Sequence, residues 1–176
     1  MSQTQESPTT ARERRHTWYD PGPVLATAAG LDGLEVMQRI ADGRLPYPPL
    51  AGTLGVSRFE VGPGHVVVGL EPEEFHYNPL GTVHGGVVAS LLDTAAGCAV
   101  HTTLPAGGGY TTVDLHTRFL APVRRETGPV HATGTLLHRG SRTATAVARL
   151  EDAGGRLLAH ATSTCLLRTE AAGAGR

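Results

Sequence analysis

The 176-residue sequence predicts an α+β fold in which a curved antiparallel sheet wraps around one long buried helix. Three observations carry this. First, Val87, Val88, Leu91, Leu92, Ala95, Ala96, Ala99 and Val100 recur at helical spacing within Val83 to Val100, giving an apolar stripe too wide to leave uncovered. Second, the last third of the chain reads as four alternating strands joined by tight turns at Arg139-Gly140-Ser141 and Ala153-Gly154-Gly155. Third, the expected inner faces of those strands are mostly alanine and glycine, small enough to let a sheet close around a helix. The chain has 23 glycines and 22 alanines, about a quarter of its length.

Taken in order, residues 1–20 are expected to be disordered, being polar with the charged run Arg12-Glu13-Arg14-Arg15. Residues 21–49 form a helical extension. Within it Leu31 to Arg44 has helical spacing, with Leu34, Met37, Ile40 and Ala41 on one face, and Pro46, Pro48 and Pro49 stop it. The main domain covers 50–168. It begins with two strands, Leu54 to Val61 and His65 to Leu70, joined across Gly62-Pro63-Gly64. The central helix runs over about 83–101 and breaks at Gly107-Gly108-Gly109. In the next strand Val113, Leu115, Thr117 and Phe119 face one way, and Thr112, Asp114, His116 and Arg118 the other. The other three inner faces are Val130 to Leu136, Ala144 to Leu150 and Leu157 to Cys165, taken at every second residue. Residues 169–176 are an Ala/Gly-rich tail expected to fray. An antiparallel sheet with helices segregated in sequence is α+β.

Composition narrows the function. All 15 cationic residues are arginine, which excludes Schiff-base chemistry, a lysine base and a Walker A lysine. A net charge of -1 gives no basic footprint for nucleic acid. Cys98 and Cys165 are isolated and read as small buried hydrophobes. Nine histidines include no HExxH spacing, so no metal is expected. No apolar signal segment opens the chain, and Val83 to Val100 is too polar to span a membrane, so a cytoplasmic protein without membrane contact is expected.

Chemistry concentrates in Asn78-Pro79-Leu80-Gly81-Thr82-Val83-His84-Gly85-Gly86, followed by Leu91-Leu92-Asp93. Gly85 and Gly86 open the central helix. The first N–H groups there lack intrahelical partners and carry partial positive charge, and glycine lets a ligand approach the backbone. Such a terminus suits an anion or an oxygen that becomes one, and equally a tight entry turn. Asp93 sits mid-helix among leucines and alanines, where aspartate is costly. It requires an exposed position, a structural hydrogen bond or a function. Gly85 and Asp93 are eight residues apart, ~12 Å along a helix. A catalytic carboxylate must lie about 3 Å from what it activates. If both serve one site they come from different subunits, with antiparallel helices exchanging them across a two-fold axis.

The pattern Asn78-x-x-Gly81-x-x-His84-Gly85-Gly86 with Asp93 nine residues after the histidine resembles the hotdog-fold acyl-CoA thioesterases. It is similar in particular to the PaaI-like branch, which includes 4-hydroxybenzoyl-CoA thioesterases. The likeness covers about Leu50 to Leu167. It implies hydrolysis of an acyl-CoA to a carboxylic acid and CoA without a cofactor, by homodimers that share two sites and usually pair into homotetramers. It implies Asp93 as nucleophile or general base, the Gly85 N–H as the group polarising the carbonyl, His84 as shaping that turn and Asn78 as orienting carbonyl or water. Gly86 would lie against the substrate. A Ser or Thr after the helix assists the acid; Thr112 matches best and Thr111 is the fallback. Arg118, Arg124, Arg125, Arg139 and Arg142, near strand ends and turns, suit CoA phosphates. Tyr77 and Tyr110 are candidates for an acyl pocket. The alternative is a hotdog module that binds acyl-CoA without turning it over. A serine nucleophile at Ser90 lacks a GxSxG context.

Overall fold

The computed structural model describes residues 10–168. The disorder expected for 1–9 and the fraying expected for 169–176 lie outside the described residues. Residues 10–20 carry no helix or strand, but Arg14 anchors them: its guanidinium donates to the Gly52 and Thr53 carbonyls and lies 3.8 Å over the Phe75 ring.

Three short helices precede the sheet: α1 (Pro21–Ala28), α2 (Gly33–Ala41) and α3 (Pro49–Leu54). In α2, Asp32 accepts from the Glu35 N–H at 2.9 Å, and Glu35 pairs with Arg39 one turn on. Its buried face is Val36, Met37 and Ile40. Leu34, expected on that face, is half-buried because α2 docks through Gly33, whose Cβ would meet the His101 carbonyl oxygen at 1.8 Å. Pro48 and Pro49 do more than end a helix. Proline suits the first helical turn, and Pro49 starts α3, which ends at Gly55 with φ 76°. Leu54 therefore belongs to α3 rather than to the first strand, and the boundary expected at residue 50 falls inside that helix.

The sheet comprises β1 (Val56–Gly62), β2 (His65–Leu70), β3 (Gly109–Phe119), β4 (Val130–Arg139), β5 (Thr143–Asp152) and β6 (Leu157–Arg168). Its order is β1-β2-β4-β5-β6-β3, antiparallel throughout. The central helix α4 (Gly85–His101) follows β2 and crosses the sheet, so β3 lands at the far edge from β1. It packs against β2, β3, β4, β5 and β6. Its hydrogen-bonded turns begin at Gly85 because His84, in extended backbone at φ -60° and ψ 137°, is the N-cap.

The alanine-lined faces do meet the helix. Ala132, Ala146 and Ala148 on the sheet, and Leu92, Ala95, Ala96 and Ala99 on α4, are fully buried. At Gly134 a Cβ would stand 2.0 Å from the Ala95 carbonyl oxygen, so the strand backbone touches the helix backbone. Register shifts interrupt four of the five strand pairings, and two of them change which residues face the core. In β3 a bulge between Thr112 and Asp114 inserts Val113, which is 57% exposed rather than inward, and puts Thr112 on the same side as Leu115 and Thr117. Between Leu150 and Glu151 the register also shifts, and Leu158 rather than Leu157 fills the core.

Gly134→Val is expected to lower stability by at least about 2 kcal/mol, because a backbone contact cannot yield to a side chain. Thermal denaturation followed by circular dichroism tests this; an unchanged melting temperature would show that the helix is not seated on the strand backbone.

Candidate active site

The loop before α4 is self-supporting. The Asn78 Oδ1 accepts from the Leu80 and Thr82 N–H groups at 2.8 and 3.3 Å, and its Nδ2 donates to Thr82 Oγ1 at 3.0 Å. Gly81, at φ 75°, closes the turn. The Asn78 carboxamide is thus largely spent on its own loop, leaving one Nδ2 hydrogen free of these bonds.

At the helix start, His84 Nδ1 accepts the Gly86 N–H at 2.9 Å. That bond places the histidine proton on Nε2. The Val87 and Val88 N–H groups turn back to the His84 carbonyl. Among the described residues the Gly85 N–H has no acceptor, so it is the donor this terminus keeps open. A Cβ on Gly85 would sit 3.3 Å from the Phe119 ring. Gly85 lines a cleft of about 330 Å³ with Asn78, Thr82, Val83, Phe119 and Val123.

Two turns further along α4, Asp93 is half-buried, and its Oδ1 accepts from Thr112 Oγ1 at 2.9 Å. The bulge after Thr112 makes this possible by turning that side chain inward, while Thr111 stays exposed. A side-chain hydroxyl fixes one carboxylate oxygen and leaves the other available. Ser90 donates to the Gly86 carbonyl at 2.8 Å and Thr94 to the Ser90 carbonyl at 2.7 Å, so both hydroxyls belong to the helix. Asp93 lines a second cavity of about 210 Å³ that shares no lining residue with the Gly85 cleft. Within one chain, then, the open N–H and the carboxylate face different spaces.

Other candidates sort by their partners. Tyr110 lines the Asp93 cavity, where Gly97 makes room for it: a Cβ on Gly97 would be 2.7 Å from the Tyr110 hydroxyl. Tyr77 is elsewhere, its hydroxyl accepting from the Arg125 N–H at 2.7 Å. His76 is buried and holds Leu54 through its carbonyl at 2.7 Å. Burial pushes the Cys98 thiol up to about 12 and also raises Cys165, so neither is a nucleophile near neutral pH. Sequence reasoning missed the far wall of the Asp93 cavity, formed by Met37, Ile40, Leu54 and Phe59. The apolar spacing of Leu31 to Arg44 marked α2 as a packing helix, but only the fold shows what it packs over.

Comparison with known proteins identifies the family. Residues 80–159 match the family model of the thioesterase superfamily. The chain is 30% identical over 110 residues to acyl-coenzyme A thioesterase 13 of Homo sapiens, covering 62% of this chain and 77% of that one. A Halobacterium salinarum relative is 40% identical over 63 residues, which span 35% of this chain and 40% of its own length. A crystal structure of a phenylacetic acid degradation-related protein from Ralstonia eutropha JMP134 superposes with a TM-score of 0.66 at 30% identity, covering 74% of this chain and 98% of that one. The chain belongs to the thioesterase superfamily, a family of thioester hydrolases, and has its hotdog fold. Among the described residues no helix is long and apolar enough to cross a membrane.

With its thiol raised to about 12, Cys98 holds about one thiolate in ten thousand at pH 8. Iodoacetamide at pH 8 is expected to leave Cys98 and Cys165 unmodified in the folded protein and to label both after denaturation, as read by mass spectrometry. Rapid labelling of native Cys98 would contradict this.

Proposed function

We propose that the protein hydrolyses an acyl-CoA thioester in a site shared by two subunits, with Asp93 from one and the Gly85 N–H from the other. The observation that carries the reading is the separation just described. An anchored carboxylate and an open helix-terminal N–H lie on one rigid helix, ~12 Å apart and facing different cavities. An aspartate side chain cannot span that distance. An antiparallel copy brings each group to the other's complement.

The edge of the sheet supports such a pairing. β3 has a neighbour on one side only, and Val113, Phe119 and Leu120 near it are each more than half exposed. An unpaired strand with exposed apolar side chains is what a second copy covers. Homodimers further paired as homotetramers follow the family's habit.

In the proposed reaction the thioester carbonyl oxygen accepts from the Gly85 N–H, with the α4 dipole behind it. The free Asp93 oxygen either attacks the carbonyl carbon or takes a proton from the water that does. Thr112 holds the carboxylate in line. If water attacks, the proton taken by Asp93 passes to the sulfur as the C–S bond breaks, giving CoA thiol and the acid. If Asp93 attacks, the C–S bond breaks to leave a mixed anhydride and CoA thiolate. Water then hydrolyses the anhydride to free the acid and the Asp93 carboxylate, and the proton released goes to the thiolate. His84 supports the site indirectly: by taking the Gly86 N–H it keeps the turn in place and leaves Gly85 as the donor. Asn78 shapes the loop beside the carbonyl and can offer its remaining Nδ2 hydrogen. Gly86 and Thr111, both exposed, line neither cavity. Arg118, Arg124 and Arg125 flank the Gly85 cleft next to Phe119 and Val123 and are suited to CoA phosphates, although Arg125 also lies 3.5 Å from Glu73.

Asp93→Asn is expected to lower kcat for thiol release from acyl-CoA about 10³-fold. Thr112→Val is expected to lower it about tenfold, with Thr112→Ser restoring most of the loss. Unchanged turnover in Asp93→Asn would overturn the assignment.

Subunit sharing has its own test. Gly85 is the first helical residue, a position that accepts proline, and His84 is already extended, so Gly85→Pro removes the N–H with little disturbance of the helix. Each homodimer, Asp93→Asn or Gly85→Pro, is expected to be inactive. Randomly mixed subunits are expected to recover roughly a quarter of wild-type activity, because half the dimers then hold one intact site of two. No recovery on mixing would overturn the sharing of one site between two subunits.

A further inference from the structure

We infer that Phe119 is the positioning residue for the Gly85 N–H: its ring holds the carbonyl-polarising donor in place without taking its hydrogen bond. The inference rests on the hydrolase reading above. It goes beyond that reading by giving a role to a side chain outside the motif from Asn78 to Asp93.

The observation is how residues 83–86 are held. The Val83 N–H donates to the Val123 carbonyl at 2.8 Å, and the His84 N–H to the His76 carbonyl at 2.8 Å. The Gly86 N–H donates to His84 Nδ1 at 2.9 Å. Gly85 lies among these three, and among the described residues its own N–H has no acceptor. What meets it instead is Phe119. The three atoms nearest the place of a Gly85 Cβ all belong to that ring: Cζ at 3.3 Å, Cε1 at 3.5 Å and Cε2 at 3.8 Å. The ring therefore approaches Gly85 tip first.

A donor kept free for a reacting oxygen cannot be fixed by a hydrogen bond of its own, because that bond would occupy it. Van der Waals contact fixes it without that competition. A phenyl ring has no lone pair to draw the N–H aside. Nor is Phe119 a core residue in this position. It is 57% exposed, whereas Leu91, Leu92, Leu150 and Leu158 are fully buried. Its contact with Gly85 is not a by-product of packing in the interior.

The backbone behind the ring is fixed. Phe119 pairs with Ala159 of β6, and the next two N–H groups, of Leu120 and Ala121, both donate to the Leu158 carbonyl at 2.8 and 3.1 Å. Residues 119–123 thus hold the helix start twice, through the Phe119 ring and through the Val123 carbonyl. The same strand carries Thr112, which anchors Asp93. β3 therefore orients the donor with one residue and the carboxylate with another. In a dimer with shared sites these two ends serve different sites, so the role of Phe119 can be assigned to one of them by experiment.

The test measures kcat and KM for acetyl-, hexanoyl- and benzoyl-CoA in wild type, Phe119→Ala and Phe119→Met. Phe119→Ala is expected to lower kcat about thirtyfold and to leave KM within about twofold, because a misplaced donor costs turnover rather than affinity. Phe119→Met, with a flexible apolar chain of similar reach, is expected to keep kcat within about threefold of wild type. Gly85→Ala is expected to cost about tenfold in wild type and less than about twofold on top of Phe119→Ala, since both disturb one contact. Mixed Phe119→Ala and Asp93→Asn subunits are expected to recover roughly a quarter of wild-type activity, because half the dimers then hold one intact site. No recovery there, where Gly85→Pro with Asp93→Asn does recover, would place Phe119 at the carboxylate and overturn the inference. So would a raised KM with unchanged kcat, or a loss that vanishes as protein concentration is raised, the mark of an interface residue alone. NMR relaxation of the Gly85 amide separates the inference from the reaction. Its order parameter is expected to be about 0.85 in wild type and Phe119→Met and below about 0.6 in Phe119→Ala. That pattern in a protein that hydrolyses none of the three thioesters would uphold the positioning and refute the hydrolase. An order parameter near the wild-type value in Phe119→Ala would refute the positioning and leave the hydrolase reading standing.

Discussion

The direct seating of α4 on the sheet is the constraint from which the remaining structure follows. Gly134 lies against the Ala95 carbonyl, and the alanines of β4 and β5 meet those of the helix with no larger side chain between them. Small residues contribute little buried area individually. They are effective here because they let two backbones approach, so that the larger residues around them, such as Leu91, Leu92, Leu150 and Leu158, interdigitate fully. A helix held this closely cannot roll or slide. Its first turn and its middle are therefore fixed points relative to every strand.

That rigidity gives the chemical groups their positions. Gly85 is placed by the start of the helix, and the start is set by His84, which caps Gly86 and leaves one donor open. Asp93 is placed by the helix middle and oriented by Thr112, which reaches it only because β3 carries an extra residue at the bulge. Local irregularity and overall regularity thus cooperate. The regular helix sets the spacing, and the bulged strand turns one hydroxyl toward the carboxylate. Burial of Cys98 and Cys165 raises both neighbouring thiols and keeps them protonated near neutral pH.

The extension before the sheet takes on meaning in this frame. α1 buries none of its residues, whereas α2 and α3 are packed into the domain and closed over the far side of the Asp93 cavity. Phe59 and Tyr47 meet edge-on at 5.1 Å behind that wall, tying β1 to the segment between α2 and α3. The family model matches from residue 80 onward, so these wall residues precede the part that it covers.

Much of this was legible in the sequence, because it depends on periodicity and on short-range chemistry. The 3.6-residue spacing of Val87 to Val100 marks α4, alternation marks β4 to β6, and the small residues on both foretell how closely they pack. The motif from Asn78 to Asp93 locates the candidate groups, and helix geometry alone separates two of them by ~12 Å. The rest depends on contacts between residues distant in sequence. The bulge at Val113 reverses the facing expected from simple alternation, and nothing local to Thr111 and Thr112 says which one turns inward. Proline at 48 and 49 stops one helix and starts another with equal propriety, so α3 was hidden by its own signal. The cavity is the clearest case. Met37, Ile40, Leu54 and Phe59 read as packing residues because they are packing residues, and they also bound a space beside Asp93. A cavity is made by what several segments fail to fill, and only the tertiary structure brings those segments together.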